Sequence, residues 1–438
     1  MRTNTRPAVL ARGTGTSETE VHEAGAFETT AWPAEPEDGD KANIPRRTTD
    51  QLRIAIVHYW LISEAGGENV IKALLALYPH ADVFTLIYDE QVARRVIGER
   101  RLVGSYLQRV PFARKMHRKL LLLMPNALEN LDLSGYDLII SSESGPAKGI
   151  LPPLSATHVC YCHSPMRYIW DQFWEYRRDA GFLARTMVSA SVARLRQWDQ
   201  ASASRVDAFV ANSSHVATRI ARYYRRDAKV IHPPVETDSF AISDEVEDYY
   251  VITGRHVSYK RIDVAIRACQ QLGRRLLITG QGPDTEMLKR LAGPGIEFLG
   301  HCSFAELKRV VARARAFLMP GEEDFGIAPV EAMASGRPVI ALGRGGALDT
   351  VVDGHNGVLF TEASIEGLVE AIQRFERLEH IFDPQAIRAH AESFSRTRFA
   401  ETFAAFVEDT LESSRHRMLS LDEAARSAIP KSSYVGAT

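Results

Sequence analysis

The sequence predicts an α/β protein made of two successive Rossmann-like halves with a cleft between them. Three observations predict this: apolar runs of strand length recur along the chain, segments long enough for crossover helices separate them, and the series starts afresh after a proline-containing break near residue 235. Parallel strands need crossovers of about a dozen residues, so the spacing favours parallel sheets over a sandwich. A length of 438 residues exceeds what one core usually fills, and 45% hydrophobic with 25% charged residues is a globular composition.

Residues 1–50 contain the run GTGTSETEVHEAGAFETTAWPAEPEDGD. It has no apolar stretch of signal-peptide or membrane-span length, and its Glu, Thr, Ala and Pro content predicts a disordered extension. The first half spans 51–235. It opens with LRIAIV (52–57), a loop holding Gly66 and Gly67, and NVIKALLALYP, whose Val70, Leu74 and Leu77 recur at helical spacing. Further strand-length runs follow at 81–88, 136–142, 157–163 and 207–213. VIHPPVETDSF (230–240) puts two prolines after a short strand and the acidic DEVED follows, which places a linker at 236–247. The second half, 248–392, repeats the pattern at 249–254, 274–280, 296–300, 315–320 and 338–342. One terminal helix is expected over 393–412, and a tail of little periodicity over 413–438.

The formal net charge is −2, with 6 Lys/Arg against 9 Asp/Glu in the first fifty residues and 47 against 46 thereafter. That balance does not argue for a nucleic-acid partner. Four cysteines lack the density of a disulfide scaffold and fit a reducing compartment. His158, Cys160 and Cys162 alternate on one strand, so a zinc site is conceivable. Ligands two apart on a flat strand diverge from a tetrahedron, and small buried side chains explain the cysteines better.

The densest chemistry lies in PGEEDFGIAPVEAMASGRPVIAL, residues 320–342. Glu323 sits in the loop leaving a strand, and Glu331 lies on the first turn of a helix started by Pro329. Open α/β sheets bind ligands beyond the carboxyl ends of their strands, so both carboxylates can face one polyhydroxylated ligand. Backbone N–H groups near Phe325, Gly326 and Ile327 can approach its phosphates. In ITGRHVSYKRID (252–263), Arg255 and Lys260 can steady a diphosphate as charge grows on it, while Arg261 reads as a bystander. The Gly66–Gly67 pair of SEAGGEN allows close backbone approach to a phosphate at a helix N-terminus, or forms a plain turn. In YCHSPMRYIWDQFW (161–174), His163 leaves a strand beside Tyr168, Trp170 and Trp174, bulky walls that can stack on sugar faces. Alternatively, His163 is a core histidine satisfied by backbone. Gly345 and Gly346 can bring backbone close to such a ligand or simply make a turn.

The run from Glu323 to Ile340, EDFGIAPVEAMASGRPVI, resembles the signature of retaining glycosyltransferases of family four, which have the GT-B fold. The resemblance covers residues 52–412. It implies Glu323 on the donor sugar, Glu331 on the nucleotide ribose, Arg255 and Lys260 on the leaving diphosphate, and Gly66–Gly67 as a phosphate loop. It also implies a retaining transfer that needs no metal, with a last helix crossing back to the first half. Asp349 stands where many relatives carry Glu. KGILPPLSATHVCYCHSPMRYIWDQF (148–173) is similar to a bacterial branch of mannosyltransferases in surface-polysaccharide assembly, which implies GDP-mannose as donor. UDP-glucose or UDP-galactose with a soluble acceptor stays open, as do an epimerase and a non-catalytic sugar-binding module. A dehydrogenase is disfavoured by the want of a GxGxxG with its ribose-binding acid.

Residues 101–120 carry Arg101, Arg109, Arg114, Lys115, Arg118 and Lys119 without an acid, and lead into Leu120–Leu123 and Met124. Five apolar residues cannot span a bilayer, but a helix with a basic face can lie on an anionic surface. The expectation is therefore a cytoplasmic protein, peripheral at the inner face of the membrane through residues 101–128, with a polyprenyl-diphosphate-linked saccharide as acceptor. The alternative leaves the leucines in the core, with Phe112, Met116, Leu120 and Leu123 deciding between the two.

Overall fold

The computed structural model describes residues 51–428, apart from 65, 172 and 175–181. The expected disordered extension, residues 1–50, and the last ten residues of the tail lie outside the described residues.

The described strands form two parallel sheets. The first contains β1 (Ile54–Leu61), β2 (Asp82–Tyr88), β3 (Leu102–Gly104), β4 (Leu138–Glu143), β5 (Thr157–Cys162), β6 (Ala208–Ala211) and β7 (Ala228–Val230), in the order β3-β2-β1-β4-β5-β6-β7. The second contains β8 (Tyr250–Ile252), β9 (Leu276–Thr279), β10 (Ile296–Gly300), β11 (Ala316–Met319), β12 (Val339–Leu342) and β13 (Gly357–Phe360), in the order β10-β9-β8-β11-β12-β13. Helices cover both faces, so the central strands are buried throughout rather than alternating: every residue of β4, β5, β11 and β12 is buried, including the polar Ser141, Ser142, Glu143, Thr157 and His158. Strand order reverses between β1 and β4 and again between β8 and β11. Loops leaving such neighbouring strands part to opposite faces and open a crevice, so each sheet offers a ligand site at that point.

The strands missing from the sequence reading are short. β3 is a three-residue edge strand inside the basic segment, and β13 ends a stretch that reads as a glycine loop. Neither carries enough apolar residues to stand out from its neighbours.

The expected surface helix over 101–128 is a correction. The segment breaks into β3, a 3-10 turn at Tyr106–Arg109, and short helical pieces at Ala113–Met116, His117–Leu123 and Met124–Glu129. Pro111 removes a helix donor, and Phe112 takes a left-handed φ of 60°, which no continuing helix allows. Leu120 and Met124 are buried beneath the sheet, whereas Phe112, Met116, Leu122 and Leu123 are exposed.

The two halves are joined twice. Val235, just before the linker, donates its N–H to Phe394 O at 2.9 Å and bridges Ser395 in parallel, so both crossings run side by side. The second leads into the terminal helix, which extends from Arg396 to Ala428, beyond the end expected at Glu412. Residues 412–421 are largely exposed helix formers with little apolar periodicity, and they continue a helix already nucleated on the first half. Phe399, Phe403, Val407 and Leu411 recur every fourth residue on its buried face and join the core cluster of β1, β4 and β5.

Candidate active site

Several of the residues singled out by sequence lie on loops leaving the strands at the two switch points. From β8, the chain passes Gly254 and the exposed Arg255 into a 3-10 turn, Ser258–Lys260. Arg261 follows at a left-handed φ of 51° and bonds Asp263 at 3.2 Å, as befits a bystander. Lys260 turns back towards the loop leaving β11 and donates to Glu323 at 2.8 Å, with 14% and 20% of the two side chains exposed. Burial works against the ammonium, but Glu323 beside it holds its pKa above the usual lysine value.

Beyond Glu323 the chain enters a helix at Ile327–Ala334, two residues earlier than Pro329 indicates, because Gly326 takes φ 88° and serves as the cap. Pro329 is tolerated within the first turn, where N–H groups lack intrahelical partners. Glu331 lies on this helix below Lys260. Burial pushes its carboxyl up to about 7, and the pull of Lys260 offsets only part of that. Gly345 and Gly346 serve the same loop. A Cβ on Gly345 would stand 2.3 Å from Glu323 O, one on Gly346 2.3 Å from Phe325 Cα, and Gly346 donates to Glu323 O. Their lack of side chains therefore lets two loops stack and fixes the height of Glu323.

Across the cleft, Gly66 and Gly67 open the helix Gly66–Leu77 behind β1. A Cβ on Gly66 would come within 2.8 Å of Ile327 Cδ1, and one on Gly67 would lie 3.8 Å from His163 Nε2. These glycines thus bring both halves together at one point. His163 leaves β5 with its N–H on Glu143 O and its Nε2 paired with Ser142 Oγ at 2.8 Å. Burial, with His58 close by, lowers its pKa to about 3, so the ring is neutral. His58 itself is buried on β1, donating from Nδ1 to Ser142 O, with Glu68 3.7 Å from Nε2.

The aromatic residues divide. The Tyr168 hydroxyl lies near Gly145, at the switch point. Trp170 is held within the first half: one face stacks on Tyr223 at 4.8 Å and its N–H donates to Asp199 at 2.7 Å. Asp199 belongs to a fully buried cluster in which Lys148 contacts both Asp199 and Glu143. Burial pushes the Glu143 carboxyl up, against the pull of Lys148.

Several contacts across the cleft come from residues the sequence reading passed over. Asp324, next to Glu323, pairs with Arg167 and Arg219 of the first half. Asp349, to which the sequence reading gave no role, accepts from Ser214 N at 2.7 Å. That amide opens the helix Ser214–Tyr224 of the first half, an N-terminus suited to a carboxylate. His215 lies 3.6 Å from Glu322. Asp324 and Arg167 stand within the motifs already quoted, but Arg219 carries no signal beyond being a charged helix residue.

His158 is paired with Ser141 Oγ and Arg205 O, and Cys160 and Cys162 are buried against the helix Ser214–Tyr224. No group of three or more His, Cys, Asp or Glu among the described residues is arranged to hold a metal ion.

Two parallel sheets whose switch points face one polar cleft, with a last helix returning to the first half, define a GT-B protein. Residues 66–239 match the family described as Glycosyltransferase Family 4, and residues 236–417 the family described as Glycosyl transferases group 1. The chain is therefore related to the glycosyltransferases of these families. Over 204 residues it is 30% identical to a GDP-mannose-dependent alpha-(1-6)-phosphatidylinositol monomannoside mannosyltransferase of Mycolicibacterium smegmatis, covering 37% of this chain and 53% of that one. Over 161 residues it is 29% identical to glycogen synthase of Mycobacterium tuberculosis, covering 34% and 37%. The chain thus spans about half the length of the first relative and less of the second. Among solved structures, Anabaena HepE in complex with UDP-glucose superimposes with a TM-score of 0.61 at 16% identity, over 82% of this chain and all of HepE. A sucrose-phosphate synthase from Thermosynechococcus elongatus gives the same score, identity and coverage.

Proposed function

We propose that this chain is a glycosyltransferase that moves a hexose from a nucleotide-sugar to an acceptor hydroxyl with retention at the anomeric carbon. The observation that carries the reading is the Lys260–Glu323 pair at the second switch point, with Glu331 beneath it and neutral His163 on the opposing half. Glu331 takes the ribose hydroxyls and Glu323 the sugar hydroxyls. Lys260 and Arg255 take the diphosphate, and the positive end of the helix at Ile327 adds backbone donors. As the glycosidic bond lengthens, negative charge grows on the diphosphate, and fixed cations stabilise it more than they do the ground state. The acceptor hydroxyl attacks on the face the diphosphate leaves, and the diphosphate oxygen receives its proton. His163, neutral and held by Ser142, orients hydroxyls by hydrogen bonding rather than by carrying charge.

For the donor, a UDP-hexose with a soluble acceptor is the better supported reading. The HepE structures hold UDP, UDP with glucose, or UDP-glucose, and a TarM structure holds UDP. GDP-mannose, the expectation from residues 148–173, is supported by the one mannosyltransferase relative described above. Parallel assays of UDP-glucose, UDP-galactose and GDP-mannose with soluble and lipid-linked acceptors test this. Acceptor-dependent nucleotide release only from GDP-mannose would restore the mannose reading. Interconversion of free donor without an acceptor would point to an epimerase instead.

One observation keeps a membrane-side acceptor in view. Phe112 is 74% exposed, with Met116, Leu122 and Leu123 also exposed, and Arg109, Lys115 and Lys119 lie exposed in the same segment. Arg101 does not contribute, since it pairs with Asp82 at the far end of the sheet, and Arg114 is paired with Asp89. Three cations at about 1 kcal/mol each, with four apolar side chains, suit weak surface binding. No helix among the described residues is long and apolar enough to cross a membrane. Salt-sensitive binding to anionic vesicles, together with transfer to a lipid-linked acceptor, would favour this second reading over the soluble one.

A further inference from the structure

Glu323 and His163 belong to different halves of the molecule, so their alignment depends on whatever sets one half against the other. Asp324 follows Glu323 directly, and its carboxylate meets two arginines of the first half across the cleft. It receives Arg219 at 2.9 Å and Arg167, and 19% of its side chain is exposed. Arg219, on the helix Ser214–Tyr224, is only 6% exposed and bonds four groups at once. Besides Asp324, it donates to Ser164 Oγ at 2.7 Å, Pro165 O at 3.4 Å and Asp171 at 2.6 Å. Arg167 adds a second tie, with its guanidinium 5.6 Å from the ring centre of Tyr259, the residue before Lys260.

These contacts fasten the loop after His163, residues 164–171, to both donor-side loops. The base of that loop is itself fixed. His163 N is held by Glu143 O, and Trp170 by Asp199, whose partner Lys148 is fully buried. Charges taken so far out of water contribute little to stability compared with apolar packing, so their value lies in geometry. One carboxylate thus meets two guanidiniums carried by a braced loop and a braced helix.

We propose that Asp324 is a positioning residue, which through Arg167 and Arg219 registers the Glu323 loop against the His163 loop and so sets the closed, reacting arrangement. This rests on the glycosyltransferase reading above. Asp324 is set apart from nucleotide binding by its partners, Arg167 and Arg219 of the first half, whereas Arg255, Lys260 and Glu331 are the groups assigned to the nucleotide above.

The test is Asp324→Asn in the full chain, with Arg167→Gln as a second variant at a more exposed partner and Asp324→Glu as the charge-conserving control. A misplacement of about 1 Å at a reacting centre costs about a hundredfold. Asp324→Asn is therefore expected to lower kcat by about ten- to a hundredfold, leave the dissociation constant for UDP or GDP within about twofold, and increase the radius of gyration in small-angle scattering. Asp324→Glu recovers part of kcat, and Arg167→Gln shifts kcat and radius in the same direction. Undiminished kcat in folded Asp324→Asn overturns the proposal. So does an equal loss of nucleotide affinity and turnover, which would make Asp324 a donor ligand. If the parent transfers no sugar from any donor, the functional reading fails separately, and scattering decides the clasp: an unchanged radius in both variants refutes it, and an increase upholds it.

Discussion

Lys260 and Glu331 illustrate how one site gives two side chains opposite tasks. Lys260 keeps its charge in a nearly enclosed position because Glu323 compensates it. In the proposed transfer that charge faces the developing anion on the diphosphate, so Lys260→Ala is expected to lower kcat by roughly ten- to a thousandfold, measured with saturating donor. For Glu331 the pull of Lys260 compensates only part of the burial, which raises its carboxyl from 4.5 to about 7. A ribose hydroxyl donates best to the ionised form, so donor affinity should rise as pH increases through about 7. Calorimetric titration between pH 6 and 8 checks the slope, and Glu331→Gln should flatten it. The linkage has a second consequence. The folded state holds a proton here that the unfolded chain releases above 4.5, so ionisation destabilises the fold as pH rises from 4.5 through about 7. Glu331→Gln should therefore melt higher than the parent at pH 8 without ligand. An unchanged or lower melting temperature would show that the carboxyl is better solvated than its surroundings imply.

At the level of elements, the terminal helix is the part whose loss would be felt furthest away. Phe403 is fully buried, stacks on Phe399 at 5.5 Å and lies 6.2 Å from Tyr161 on β5. Tyr161 precedes His163 by two residues, and their rings stand 5.1 Å apart. Truncating a buried phenylalanine removes transfer energy and leaves a cavity, so Phe403→Ala should cost about 3–5 kcal/mol, read from the shift of the chemical-unfolding midpoint. The segment 106–124 behaves differently, because its apolar residues are split between core and surface. Replacing Phe112, Leu122 and Leu123 together by serine should move the unfolding midpoint less than Phe403→Ala does, since Phe112 is mostly exposed and the two leucines are about half exposed. The same substitution should abolish any vesicle binding, and binding that persists would place the membrane contact elsewhere.

For the whole molecule, the two crossings at Val235 and Ser395 lie side by side and form one narrow connection, while the cleft is spanned by Asp324, Asp349 and Glu322. Such an arrangement suits hinge motion about the crossings, with polar contacts making and breaking at the mouth. A nucleotide that binds the folded state alone stabilises it by mass action, about 2.7 kcal/mol at a hundred times its dissociation constant. UDP or GDP at saturating concentration should therefore raise the calorimetric melting temperature of the transition containing the second half. No shift with either nucleotide would count against a nucleotide site on that half.

The sequence by itself determined the two-sheet plan, because buried parallel strands must be continuous apolar runs and the crossover lengths between them are visible in the spacing. It also placed the proposed donor residues near one another, since Glu323, Gly326, Ile327 and Glu331 lie in one strand-exit loop and the start of one helix, and Lys260 follows β8 closely. Short-range geometry along one strand exit is legible from residue order alone. What crosses the cleft was decided only by the tertiary structure. Arg219 and Asp324 are 105 residues apart, and Ser214 and Asp349 are 135 apart. Their meeting depends on how two separately folded sheets are turned towards each other. The same reason set Trp170 against Tyr223 and Asp199 and divided Leu120 from Leu122, since which face of an aromatic or a leucine meets water depends on what packs beside it. Pattern and spacing specify an element and its exit loop, but the partner of an isolated charge is fixed by the fold of the rest of the chain.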